Sequence, residues 1–247
     1  IAESLGEDPY LSSLMGEAMV KGFQGNDLIE SNSIAACAKH FVGYGAVEGG
    51  RDYNSTSVTP YALRNTYLVP FQKAIDAGVL TVMTSFNDND GIPSSGNEYL
   101  LKQVLRKELG FNGLIVSDWN SVGEMITHGF AVDGKDAARL AANAGLDMEM
   151  NTELYVKYLK QLVEGGKVSV ADIDTSVRYI LNIKFRLGLF DNRYLTVSDK
   201  STIYSEEHLR AAKEAALKSA VLLKNSNSTL PLKETQRIAI IGPMADA

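Results

Sequence analysis

A chain of 247 residues is long enough for one barrel-sized domain or one to two ordinary ones, and its 45% hydrophobic content can fill a sizeable core. Its 24 basic and 30 acidic residues leave a net charge of −6, which gives no general attraction to phosphate backbones and excludes nucleic acid as a partner class. No apolar run approaches the roughly 18 residues of a membrane span, and the single Cys37 excludes an internal disulfide. Cys37 sits in an apolar stretch and is expected to behave as a small buried hydrophobe rather than a reactive thiol. No His, Cys, Asp and Glu cluster has metal-ligand spacing, so neither a metal nor another cofactor is expected. The chain opens on Ile1 without a signal-peptide pattern and reads as cut there.

Along the chain, strand and helix signals alternate, without internal repeats or low-complexity tracts. Ile34 to His40, Val79 to Phe86, Leu114 to Asp118 and Leu146 to Met150 are each apolar first and polar last, the pattern of buried parallel strands with polar carboxyl ends. Between the first two, Thr59 and Pro60 form an N-cap and N1 pair, and Leu63, Tyr67, Phe71 and Ile75 recur at helical spacing before Gly78. Pro70 inside that pattern predicts a kink or an early break. Asn97 is placed to cap a helix whose stripe is Leu101, Val104, Leu105 and Leu109, ending at Gly110. Residues around Ala137 to Ala144 predict a small-residue helix.

After Met150, Glu153 to Val163 and Ala171 to Leu187 read as amphipathic helices, the second opened by Ser169 with Asp172 three residues on. Residues 188 to 204 lack periodicity and read as the start of a linker, followed by a helix from Ser205 to about Lys224. Arg237 to Ile241 predicts a buried strand that turns at Gly242-Pro243. The spacing of the first four strands is that of βα units, and four in a row suggest half of a (β/α)8 barrel.

Within this frame the segment Gly113-Leu114-Ile115-Val116-Ser117-Asp118-Trp119 concentrates the chemistry. It delivers a carboxylate and an indole to the carboxyl end of a sheet, where α/β folds bind ligands. A carboxylate held there can attack an anomeric carbon while an aromatic face covers the sugar ring. Asp is equally a favoured N-cap, and the local pattern leaves both roles open.

The ordered motifs Ala36-Cys37-Ala38-Lys39-His40-Phe41, Gly49-Gly50-Arg51-Asp52-Tyr53-Asn54, Val82-Met83-Thr84-Ser85-Phe86-Asn87 with Gly91-Ile92-Pro93, and Val116-Ser117-Asp118-Trp119 together resemble glycoside hydrolase family 3, especially its bacterial β-glucosidase branch. Glu3-Ser4-Leu5-Gly6-Glu7-Asp8-Pro9, Leu105-Arg106 through Gly110-Phe111, and Ala144-Gly145-Leu146-Asp147-Met148-Glu149-Met150 extend the resemblance over nearly the whole chain, as a piece truncated at both ends. It implies the C-terminal part of a TIM-like (β/α)8 barrel over residues 1–187, a linker with a helix over 188–236, and the first strand of an α/β-sandwich domain over 237–247.

The resemblance further implies a retaining exo-β-glycosidase, most simply a β-glucosidase releasing terminal β-D-glucose from an oligosaccharide or aryl β-glycoside. Asp118 is then the nucleophile. The acid/base carboxyl belongs to the second domain and lies outside this chain, so the piece alone is expected to be inactive. Such enzymes set the two carboxyls roughly 5 to 5.5 Å apart. Lys39 and His40 become ligands of the sugar hydroxyls, Arg51 a further ligand that aligns only across a one-residue gap, and Trp119 and Met83 complete the substrate-binding set. Their alternatives are an ion pair with a structural histidine for Lys39 and His40, and barrel packing for Trp119. For Met83, Phe86 and Tyr44 core packing is the default.

Phe86 departs from relatives that carry a tyrosine there to steady the nucleophile; Thr84, Ser85 or Asn87 could supply the missing hydrogen bond. The turn Gly43-Tyr44-Gly45 lacks the histidine of the N-acetylglucosaminidase branch, and the remaining histidines are His128 and His208. β-Xylosidase or mixed specificity is the nearest alternative activity. A Schiff-base aldolase using Lys39 and a non-catalytic sugar-binding fragment are more distant ones. The family favours a periplasmic or secreted location, and the sequence leaves the oligomeric state open.

Overall fold

The structure is a computed structural model that describes residues 3–194 and 203–245. The chain divides into two compact units, Ile1–Leu195 and Thr196–Ala247. The first begins with helix α1 (Pro9–Gln24), which the sequence analysis leaves unassigned; the Asp8 carboxylate accepts from Tyr10 N–H at 2.8 Å and Pro9 fills the first turn, where no N–H is needed. Four strands follow, β1 (Cys37–Phe41), β2 (Thr81–Thr84), β5 (Leu114–Trp119) and β6 (Met148–Met150), with a small antiparallel hairpin of β3 (Asp88–Asn89) and β4 (Ile92–Pro93) between the second and third.

These four strands form one sheet in the order β1-β2-β5-β6, every pair parallel. Each new strand is added on the same side as the last, the winding that a closed barrel uses and a doubly wound sheet does not. All four expected strands are present; β1, β2 and β6 start two or three residues later than expected, β2 also ends two residues earlier, and β5 starts at Leu114 as expected and runs on to Trp119. Ile115, Val116, Ser117 and Asp118 are buried in succession, as expected where both sheet faces are covered.

The connections follow the predicted caps. Thr59 Oγ1 accepts from Ala62 N–H at 3.2 Å to open α2 (Pro60–Ala62). The helix then widens into a π-helical stretch, Leu63–Tyr67, and restarts as α3 (Val69–Asp76) with Pro70 in its first turn. The proline lacks the N–H that a continuous helix would use there, which accounts for the break. Asn97 caps the next helix through Leu100 N–H at 3.0 Å; it too is π-helical, over Tyr99–Glu108.

Helices α4 (Ser121–Thr127) and α5 (Gly134–Ala144) join β5 to β6, and Ala137, Ala138, Ala141, Ala142 and Ala144 are all buried, so α5 approaches its neighbours through methyl groups. Helices α6 (Leu154–Glu164) and α7 (Val170–Arg186) close the unit. Gly113 admits β5 against β2, since a Cβ there would lie 2.1 Å from the Leu80 carbonyl oxygen.

Two expectations fail in the packing. Cys37 is exposed rather than buried, because β1 is an edge strand of the described sheet. In the second unit, helix α8 (Glu206–Ser219) is capped by Ser205 as predicted, but residues 237–241 form no strand, and Ile238, Ile240 and Ile241 are exposed. A strand needs a neighbour for its hydrogen bonds, and none of the described residues pairs with this segment. Residues 195–202 of the expected linker lie outside the described residues.

Candidate active site

The sheet brings Asp118, His40 and Lys39 to its carboxyl end by the same device on two strands. In β5 the register slips between Val116 and Trp119, and in β1 between Ala38 and Phe41; in each case the strand carries one more residue than its partner. Such a bulge re-aims side chains that strict alternation would place on opposite faces. The Lys39–His40 and Phe41–Val42 peptide bonds are cis. Ser117 Oγ accepts from Met150 N–H at 2.7 Å and Asn120 N–H donates to Met150 O at 3.0 Å, tying the turn after Asp118 to β6.

Asp118 is buried, and its two oxygens differ. Oδ1 accepts from Trp119 N–H at 2.6 Å, which fixes the carboxylate. Oδ2 lies 3.3 Å from His40 Nε2, out of line for a hydrogen bond, and has no hydrogen-bond partner among the described residues. One oxygen is therefore anchored while the other keeps its lone pairs, the arrangement an attacking carboxylate requires. Asp118 does not cap α4: its bond goes to the adjacent residue, and the Ncap position is Asn120 in a left-handed conformation with φ 59°.

Asp118, His40 and Lys39 share a cavity of 430 Å³ with Glu3, Tyr44, Val47, Gly50, Asp52 and Phe86. That volume falls in the range of small-molecule sites. Glu3 Oε2 is 2.9 Å from Lys39 Nζ and 3.6 Å from His40 Nε2, and the Lys39 ammonium holds the Glu3 carboxyl below its ordinary range. Burial and the Lys39 charge push the His40 imidazole below its ordinary value, against the pull of Asp118, Glu3 and Asp52. At neutral pH His40 is then a neutral ring that can both donate and accept.

Tyr44 packs edge-on against His40 with centroids 5.0 Å apart and donates its hydroxyl to Asp52, which also accepts from Tyr53 N–H at 3.0 Å. Burial and this bond to Asp52 keep the Tyr44 phenol protonated by raising its pKa. Phe86 lies against Tyr53 at 4.5 Å. On α4, burial and the charges of Asp118 and Asp52 push the Glu124 carboxyl up.

The remaining expected ligands are not gathered in this cavity. Arg51 is exposed and its stem lies beside Gly49, whereas its neighbour Asp52, also exposed, borders the cavity. Trp119 is 61% exposed, and Met83 is half-buried on β2 opposite Val116. None of the three lines the cavity. Tyr44 and Phe86, expected as core, do line it, and Glu3 and Asp52 join them from motifs quoted above without a role.

None of the candidate substitutes for the missing tyrosine hydroxyl reaches Asp118. Thr84 bonds Ser95 and Ser85 bonds Ser94, each at 2.8 Å, and the Asn87 amide donates to the Val42 carbonyl at 3.3 Å. The hydrogen bond that the Asp118 side chain does accept comes from the Trp119 N–H. Among the described residues no group of three or more His, Cys, Asp and Glu is arranged to hold a metal, and no helix is long and apolar enough to cross a membrane.

The carboxyl end of the parallel sheet thus presents an anchored carboxylate, an imidazole and an ammonium in one pocket. Residues 1–183 match the model of the glycosyl hydrolase family 3 N-terminal domain, and the chain belongs to that family. It is 44% identical over 252 residues to a periplasmic β-glucosidase of Salmonella typhimurium, and 40% identical over 260 residues to a β-xylosidase of Formosa agariphila. These alignments cover 100% and 99% of this chain but 33% and 36% of the relatives, so the chain spans about a third of their length. Among solved structures, the β-glucosidase of Listeria innocua in complex with glucose superposes with a TM-score of 0.88 at 45% identity, covering 93% of this chain and 32% of that one.

Proposed function

We propose that this chain is the nucleophile-bearing part of a retaining exo-β-glycosidase, most simply a β-glucosidase, whose activity belongs to the full-length protein. The observation that carries the reading is the asymmetric Asp118 carboxylate, anchored through Oδ1 and unpartnered at Oδ2, beside His40 in a sugar-sized cavity. In the first step Asp118 Oδ2 forms a bond to the anomeric carbon as the bond to the leaving oxygen breaks, and that oxygen takes its proton from a carboxylic acid outside this chain. Water then attacks the glycosyl ester from the opposite face, giving up its proton to the same acid/base group and regenerating the Asp118 carboxylate. Lys39 and His40 bind ring hydroxyls, and Arg51, Trp119 and Met83 contact substrate only in the complete site. The sheet is taken as the later half of a (β/α)8 barrel, with residues 237–247 leading into a second domain. The relative named periplasmic supports an exported protein.

The Lys39 ammonium makes an ion pair with Glu3, whereas a Schiff-base lysine needs a free amine in apolar surroundings, which argues against the aldolase alternative. Stereochemistry tests the main reading. The full-length protein, given p-nitrophenyl β-D-glucoside and followed by proton NMR, is expected to release the β-anomer of glucose first. First release of the α-anomer would exclude a covalent intermediate on Asp118, and faster cleavage of the β-D-xyloside would assign the runner-up specificity.

The binding roles give a second expected result. Lys39→Ala and His40→Ala lower kcat/KM on aryl β-glucosides, by roughly 10- to 100-fold each, because hydroxyl contacts strengthen as the ring distorts. The penalty shrinks on the deoxy substrate that lacks the contacted hydroxyl. An equal loss on every deoxy analogue would assign the two residues a structural role instead.

A further inference from the structure

We propose that Glu3 is a positioning residue for the sugar-binding pair, fixing the Lys39 ammonium and the edge of His40; this rests on the reading of Lys39 and His40 as hydroxyl ligands. Glu3 lines the same cavity as Asp118, and its Oε2 is 2.9 Å from Lys39 Nζ and 3.6 Å from His40 Nε2. His40 Nε2 thus faces two carboxylate oxygens, Glu3 Oε2 at 3.6 Å and Asp118 Oδ2 at 3.3 Å.

The backbone directs Glu3 to this place. Ser4 Oγ accepts from Gly6 N–H at 3.1 Å, and Gly6 adopts φ 114°, a conformation that only glycine takes without strain. The turn joins Glu3 to the capped start of α1, and α1 packs on α3, so a distant helix pair holds the carboxylate over the end of β1.

Lysine explains why such a partner is useful. Its charge sits on a flexible four-carbon stem with three donors, and ordering that stem on substrate binding costs free energy. Glu3 takes one donor and fixes the ammonium before substrate arrives, leaving the other donors for hydroxyls. The side chains of Lys39 and Glu3 are 41% and 60% exposed, so the pair contributes little to folding stability. Its effect belongs to binding.

A double-mutant cycle in the full-length protein separates these roles, with p-nitrophenyl β-D-glucoside as substrate. Glu3→Gln is expected to lower kcat/KM about fivefold, the upper range for an exposed ion pair, without moving Tm, and Glu3→Asp to restore part of the loss. In a Lys39→Ala background the same Glu3→Gln change is expected to have less than about a twofold effect, because the group it positions is gone. A full fivefold loss in both backgrounds, or no loss in either, overturns the proposal. If Lys39→Ala alone leaves kcat/KM unchanged, the assignment of Lys39 as a ligand falls, and this proposal with it.

Discussion

Asp118→Ala in the full-length protein is expected to lower kcat for aryl β-glucosides by roughly four to six orders of magnitude, the penalty of deleting a covalent nucleophile. The fold should survive the change, because Asp118 contributes one hydrogen bond, to the neighbouring Trp119 N–H, while the turn is held separately by Ser117 and Asn120 on Met150. Truncation also leaves a small gap facing the anomeric carbon. Azide supplied at high concentration is expected to enter it and attack from the side that Oδ2 occupied, giving an α-glycosyl azide and recovering part of the rate. Asp118→Asn, which fills the gap, should be nearly as inactive and insensitive to azide. A purely structural Asp118 would give neither the rescue nor the inverted product, and normal turnover by a well-folded Asp118→Ala protein would remove the assignment altogether.

The second large effect concerns stability, at the opposite end of the same strands. Arg106 Nη2 lies 2.6 Å from Asp147 Oδ2, Nη1 donates to the Phe111 and Gly113 carbonyls at 3.1 and 2.5 Å, and the guanidinium stacks 3.9 Å from the Tyr179 ring centroid. Asp147 also accepts from Ile115 N–H at 2.7 Å and from Ser176 Oγ at 3.0 Å, and its side chain is only 3% exposed. This cluster locks the π-helical segment and α7 to the starts of β5 and β6. Arg106→Ala strands a buried carboxylate, at a cost of about 3–5 kcal/mol. In a unit of this size that lowers Tm on the order of 10 °C. Arg106→Lys keeps the charge but loses the fork and the stack, so an intermediate loss is expected. An unchanged Tm in Arg106→Ala would mean that Asp147 finds another partner or gives up its charge at little cost.

Much of the fold was legible because its signals are local. Thr59, Asn97, Ser169 and Ser205 each cap the helix that their sequence context predicts. The four strands appear where apolar runs end in polar residues. The misses need information from across the fold. Cys37 sits in an apolar run, but its strand is an edge, a property of the sheet rather than of the residue. Residues 237–241 have strand composition and no partner among the described residues. The π-helical widening at Leu63–Tyr67 and Tyr99–Glu108 leaves the apolar spacing nearly intact, so periodicity does not reveal it.

The site divides in the same way. Asp118, Lys39 and His40 were visible as polar endings of strands, and the structure brings them together. The bulges that aim them were invisible, since a register slip is defined only against a neighbouring strand. Arg51 and Asp52 are adjacent in one glycine-rich loop, and the turn decides which faces the cavity; composition favours neither. Glu3 lies 36 residues before Lys39 and meets it through tertiary contacts, with α1 packed on α3 and bonded through Gln24 to Ala36 just before β1.

The most direct test of the central claim is covalent capture of the nucleophile. The full-length protein is incubated with 2,4-dinitrophenyl 2-deoxy-2-fluoro-β-D-glucoside, whose fluorine slows both steps and whose good leaving group, needing little protonation, keeps the first faster than the second. Peptide mass mapping is then expected to place one fluoroglucosyl ester on Asp118, with release of one equivalent of dinitrophenolate as activity falls. An ester on any other carboxylate, or stoichiometric release and inactivation with Asp118 unmodified, would contradict the account.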